Sequence, residues 1–283
     1  MKKVVFVLLI LILSSTNVLS QALKKVWETD KILLTPESVV FDESRNFLYV
    51  SNFNVQGGFL AKGDTSRDEF ISKVSLDGKI INLKWIECLN APTGLAIHND
   101  KLFIVERSKL VEFDLNVNKI INRYSVPNSG FLNDIVIDPI GTIYLSDTKN
   151  NMIFKFSRGE IEIWLDHDID KPNGLLIDND KLIVGSSGDK SIKIISLKNK
   201  TIDKVIETNS GIDGLKITEK GDYIISYMQK ISLIGKDCSI VEILNTADSK
   251  IWNTDFEYLS LKNLIIVPTF FNNKLIAYKL SLN

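Results

Sequence analysis

The sequence predicts an all-β protein, a six-bladed β-propeller with four-stranded blades, and three observations carry that expectation. A seven-residue phrase recurs six times, short β-type runs follow each copy, and no helix-period stretch of useful length intervenes. The copies are Pro36-Glu-Ser-Val-Val-Phe-Asp42, Pro92-Thr-Gly-Leu-Ala-Ile-His98, Leu132-Asn-Asp-Ile-Val-Ile-Asp138, Pro172-Asn-Gly-Leu-Leu-Ile-Asp178, Ile212-Asp-Gly-Leu-Lys-Ile-Thr218 and Asn253-Thr-Asp-Phe-Glu-Tyr-Leu259. The second position falls at 37, 93, 133, 173, 213 and 254, so the steps are 56, 40, 40, 40 and 41.

Taken in order, residues 1–20 stand apart. Lys2 and Lys3 precede an apolar run from Val4 to Leu13 and a small polar exit, the pattern of a secretory signal peptide cut after Ser20 or Ala22. The run is too short to span a bilayer, which takes about 20 residues. The chain is therefore expected in the periplasm or secreted, with no stable membrane insertion after cleavage. Residues 21–283 then form one propeller domain, with blades at 35–88, 91–126, 131–166, 171–207, 211–246 and 252–281. The last unit has three clear strands, at 254–259, 264–268 and 274–280. Its missing outer strand is expected from Leu23-Lys-Lys-Val-Trp-Glu28 (strand 23–29), because pairing the two termini removes two open sheet edges. The extra residues of the 56-step lie near Asn54–Glu69, a Gly-rich polar stretch expected to loop over one mouth of the channel.

Composition narrows the partners. A formal net charge of -1 excludes nucleic-acid binding through bulk charge, and 24% charged residues with six prolines exclude a mostly disordered chain. Two cysteines, Cys88 and Cys238, make neither a disulfide scaffold nor a multi-cysteine zinc site. They fall in non-adjacent blades and are expected as isolated buried thiols. His98 and His167 have no evident catalytic partner, and Trp85, Trp164 and Trp252 read as packing residues. Asp166-His-Asp-Ile-Asp170 has Lys171 where an EF-hand loop needs Gly and Ile177 where it needs Glu.

The function lies in the polar positions of the repeat. The innermost strand of each blade lines the channel, so the second positions converge: Glu37, Thr93, Asn133, Asn173, Asp213 and Thr254. All six carry oxygen where a bland ring would hold Val, Ala or Gly. Carboxylates converging with amide oxygens and no thiol favour a hard divalent cation, calcium above zinc. Asn173-Gly174 and Asp213-Gly214 also match tight hairpin turns, but a polar loop rather than a strand precedes each.

With Pro36-Glu37, Phe131-Leu-Asn133-Asp134, Asp138-Pro-Ile-Gly141, Pro172-Asn173-Gly174 and Asp213-Gly214 in this order and spacing, the chain resembles the regucalcin/gluconolactonase (senescence marker protein-like) family of six-bladed propellers, and more distantly the paraoxonases. The resemblance implies one divalent cation, often calcium, held by Glu37, Asn173 and Asp213, and hydrolysis of a lactone or related ester. It implies substrate contacts from Asn133, to which the reading of the ring and its neighbours adds Thr93, Thr254 and Phe131. Asp213 is the expected general base, with Asp134 in reserve. The chain departs from the family where an arginine precedes the Asn-Asp pair: residues 128–132 hold none and Phe131 stands there, which implies a less polar substrate than a sugar lactone. The histidine dyad of the paraoxonases also has no counterpart. The expected partner is thus a small lactone or ester, and the chain is expected to be a monomer. The rival expectation is a calcium-stabilised propeller that binds a small ligand or protein without turnover.

Overall fold

A computed structural model describes residues 23–54 and 68–281. The expected leader at 1–20 and most of the expected loop, residues 55–67, lie outside the described residues. Strand β1 is Leu23–Glu28. The first blade is β2 (Pro36–Asp42), β3 (Phe47–Asn52), β4 (Glu69–Ser75) and β5 (Ile80–Leu89). The second is β6 (Leu95–His98), β7 (Lys101–Glu106), β8 (Lys109–Asp114) and β9 (Lys119–Ser125). The third is β10 (Leu132–Ile137), β11 (Ile143–Asp147), β12 (Met152–Ser157) and β13 (Glu160–Leu165). The fourth is β14 (Pro172–Asp178), β15 (Lys181–Ser186), β16 (Ser191–Ser196) and β17 (Ile202–Glu207). The fifth is β18 (Leu215–Ile217), β19 (Tyr223–Tyr227), β20 (Lys230–Ile234) and β21 (Ile240–Asn245). The sixth comprises β22 (Glu257–Leu259), β23 (Leu264–Thr269) and β24 (Lys274–Leu280), completed by β1. Every pairing is antiparallel, and among the described residues no helix is long and apolar enough to cross a membrane.

These segments form strands because β-branched and aromatic residues stand between turns built by residues that tolerate a left-handed backbone. Asn46, Asn99, Asn179 and Asn263 have φ of 58°, 46°, 53° and 45°, and Gly141 and Gly221 have φ of 88° and 84°. Burial follows position in the blade. The second strands are almost wholly covered, as in β11 and β23, because neighbouring blades pack on both faces. The outer strands, such as β9 and β17, alternate or face water. The apolar core is accordingly divided into layers between blades. Tyr49, Leu102 and Ile104 meet between the first two, and Phe103, Leu145 and Phe154 between the second and third. Val50, Val74 and Ile266 belong to the layer that closes the ring.

The closing strand arrives as expected. β1 pairs with β24 from Leu23↔Leu280 to Glu28↔Ile276, and Lys274 Nζ meets Glu28 Oε1 at 2.7 Å. The cysteines are isolated, as expected, but not buried. Both are free and exposed, because Cys88 lies in the outermost strand of its blade and Cys238 in the turn before β21. Trp85 and Trp164 pack on Tyr49 and Tyr144, with ring centroids 4.5 Å and 5.2 Å apart.

Candidate functional site

The recurring phrase becomes an inner ring through one local irregularity. In β2, β10 and β14 the register with the next strand slips between the first and fourth positions, leaving Glu37, Asn133 and Asn173 in bulges. In the other three blades the regular strand begins later, so Thr93, Asp213 and Thr254 precede β6, β18 and β22 rather than opening them. Each still donates its backbone N–H to the neighbouring strand: Thr93 to the Val105 carbonyl at 2.9 Å, Asp213 to Ser226 at 2.8 Å and Thr254 to Pro268 at 3.3 Å. A second periodic residue supports this ring. Ser51, Ser146 and Ser226 each accept from the third-position N–H with Oγ, at 2.9 Å in all three blades.

Adjacent blades are joined at the same level. Gly94 N–H donates to the Asn133 carbonyl at 2.8 Å, Leu175 N–H to Asp134 Oδ2 at 2.7 Å, and Ser226 Oγ to the Thr254 carbonyl at 2.7 Å. Ser38 Oγ donates to Asp255 Oδ2 at 2.7 Å. Glycine at 174 permits this approach: a Cβ there would lie 2.5 Å from the Asp213 carbonyl oxygen.

Around the ring lies a cavity of about 440 Å³, within the size range of small-molecule sites. Glu37, Asn133, Asn173, Asp213 and Thr254 all line it, as does Phe131. Asn173 Nδ2 donates to Asp213 Oδ1 at 2.9 Å. Glu37 Oε2 is buried and accepts no hydrogen bond. Its proton affinity is raised well above the ordinary carboxylate range, first by burial and then by the charges of Asp213, Asp255 and Asp134. Burial and Asp255 push Asp213 up to about 7, against the opposing bond from Asn173. Carboxylate and amide oxygens without thiol or imidazole are the donor set a hard divalent cation takes, and an orphaned buried carboxylate oxygen fits one. Among the described residues there is no group of three or more His, Cys, Asp or Glu arranged for a metal, so the set depends on the amides.

Two predicted residues sit elsewhere. Thr93 is buried, with Oγ1 3.4 Å from the Leu132 carbonyl, and is not among the lining residues. Asp134 also stays out of the cavity, because its oxygens accept from the Ile135 and Leu175 N–H groups and tie the third blade to the fourth. Burial and Asp255 push Asp134 up to about 8, against Lys216 and those two bonds.

Other residues of the site escaped the sequence reading. Trp252, expected to be packing, lines the cavity with Phe270, beside an aromatic cluster of Phe53, Phe131 and Phe270. Lys149, Lys171, Tyr227 and Met228 complete much of the wall. Beneath the acidic ring, Lys216 Nζ lies 3.6 Å from Asp255 Oδ1. Burial disfavours its charge, but Asp255, Glu257 and Asp134 outweigh that and raise its proton affinity. One signal existed: Asp255 is a third position and Lys216 a fifth, and alternate strand positions share a face.

Fold and site together define a class, a six-bladed propeller that gathers polar side chains from separate blades around an axial cavity. No protein-family model matches the chain, and no curated protein matches it by sequence. Solved structures do. A gluconolactonase from Xanthomonas campestris superposes with a TM-score of 0.68 at 15% identity, covering 88% of this chain and 86% of that one. Virginiamycin B lyase from Staphylococcus aureus gives 0.65 at 15%, covering 91% and 99%. The WD40 β-propeller domain of Doa1 gives 0.64 at 15%, covering 85% and 77%. At these identities the likeness is one of fold.

Proposed function

We propose that this chain is an exported hydrolase that opens a lactone or related ester in the axial cavity, using one divalent cation, calcium by donor type, held by Glu37, Asn173 and Asp213. The observation that carries the reading is Glu37, whose buried Oε2 has no donor in a cavity shared with Asn173 and Asp213. An unpaired buried charge is costly, and a bound cation removes that cost. The gluconolactonase among the fold neighbours supports the same class of chemistry. When bound, the cation supplies positive charge that polarises the ester carbonyl and stabilises its oxygen.

The chain's own residues do the rest. Asp213 takes the proton from the attacking water. The water oxygen bonds to the carbonyl carbon, the carbon–oxygen single bond of the ester breaks, and the proton passes to the leaving alkoxide. Asn173 fixes the Asp213 carboxylate through its bond to Oδ1, and Asn133 orients the substrate. Phe131, Trp252 and Phe270 exclude water and suit a substrate with an apolar body.

The lyase neighbour suggests elimination instead, yet a histidine-to-alanine variant of that lyase is catalytically inactive. Here His98 contacts Asn99 and His167 pairs with Asp166, both away from the cavity, which favours a carboxylate base. The test is turnover of a panel of lactones and aryl esters, with and without chelator, in wild type and Asp213→Asn. We expect chelation to abolish turnover and the substitution to lower kcat by at least about 10²-fold. Turnover indifferent to both removes the mechanism. Chelator-sensitive melting with no turnover on the panel makes the chain a binding protein.

A further inference from the structure

We propose that the rim of the cavity between the third and fourth blades is an anion-recognition site, so that the substrate is an ester carrying a second, ionised group on its apolar body. This rests on the hydrolase reading for the word substrate, but the binding itself does not. Lys149 and Lys171 both line the cavity, and neither pairs with a carboxylate among the described residues. These two exposed ammonium groups place positive charge on a cavity whose wall includes Phe131, Trp252 and Phe270 and whose lining carboxylates are Glu37 and Asp213.

The two lysines are on a built platform. Asp147, fully buried at the end of β11, accepts four backbone N–H groups: Gly130 at 2.6 Å, Phe131 at 3.0 Å, Lys149 at 3.1 Å and Asn150 at 3.0 Å. One carboxylate therefore sets both the aromatic wall at Phe131 and the backbone of Lys149. The next blade is stitched to the same turn. Thr148 Oγ1 donates to the Pro172 carbonyl at 2.7 Å, and Lys171 N–H donates to Asn151 Oδ1 at 2.8 Å. The Lys171 carbonyl accepts from Ser187 N–H at 2.9 Å. The backbone of both lysines is thus held before any ligand arrives, which lowers the ordering cost of binding. Asn173 follows Lys171 by two residues, so the rim and the proposed cation ligands share one rigid segment.

A carboxylate on the substrate satisfies this arrangement: its charge sits at the lysines, its apolar body lies along Phe131 and Trp252, and its ester reaches inward to Asp213. A sugar lactone, neutral and polyhydroxylated, uses neither the rim nor the wall.

The experiment compares 4-phenylbutyrate with its neutral amide, read by quenching of tryptophan fluorescence in the wild type, Lys149→Met/Lys171→Met and Lys149→Arg/Lys171→Arg, each in calcium and again in EDTA. We expect the wild type to bind the carboxylate at least tenfold more tightly than the amide in both buffers. The methionine pair brings the ratio within twofold, and the arginine pair restores it. Equal affinity for the two probes in the wild type overturns the rim site, as does a preference that survives the methionine pair. A preference that vanishes in EDTA assigns the carboxylate to a bound cation and overturns it as well. Thermal melting verifies that each variant is folded, and the arginine pair guards against loss through packing. Turnover of neutral esters is scored separately, so failure of hydrolysis and failure of the rim are distinguishable.

Discussion

Replacing Lys216 by methionine keeps the straight stem and deletes one charge from beneath the acidic ring. The ammonium is 3.6 Å from Asp255 Oδ1, and the two side chains are 23% and 8% exposed. That oxygen accepts no hydrogen bond, so the ammonium is the compensation available to it. At an effective dielectric of about 20, two unit charges at this distance attract by about 5 kcal/mol. Relief of the desolvation of Lys216 reduces this, and we expect a net loss of about 3 kcal/mol at pH 7. Urea unfolding of both proteins in EDTA at pH 7 measures the gap, and a loss below about 1 kcal/mol refutes the role of Lys216 as the internal counter-ion.

Two further outcomes are expected. In the chelated protein, Asp213 near 7, Asp134 near 8 and a raised Glu37 hold protons that the unfolded chain has lost, so stability is full below about pH 4 and falls as pH rises toward 8. Each held proton contributes a slope of up to about 1.4 kcal/mol per pH unit. Calcium competes with the protons of Glu37 and Asp213 but not with that of Asp134, so melting in millimolar calcium shows a shallower downward slope, and identical melting curves with and without calcium contradict the donor set. In Gly174→Ala the added Cβ, 2.5 Å from the Asp213 carbonyl oxygen, forces the fourth and fifth blades apart. We expect about 1–3 kcal/mol of destabilisation and a loss of ester turnover larger than the fall in folded fraction explains, and an alanine variant with wild-type kcat contradicts the close approach.

The forty-residue period made the fold legible because each blade is one supersecondary unit, and units that stack alike need like residues at like positions. Closure by the first strand was legible for a related reason: an unfinished last unit and an unassigned first strand each leave an open edge. The polar second positions were legible as a set, since Glu37, Asn133, Asn173 and Asp213 stand in one register of the phrase and all four line the cavity. The exposure of Cys88 and Cys238 was not, because apolar preference says little about a residue in an outer strand or its turn.

What the order of residues determined by itself, then, is the blade count, the closing strand and a register that puts five of the six polar second positions on one cavity, all consequences of repetition. The three-dimensional packing decided the rest. It turned Asp134 aside to bind two backbone amides, set Lys216 under the acids, and brought Trp252, Phe270, Lys149 and Lys171 to one cavity from loops outside the repeated phrase. Those loops obey no period. Their side chains meet only because the ring closes, and no spacing along the chain encodes that distance.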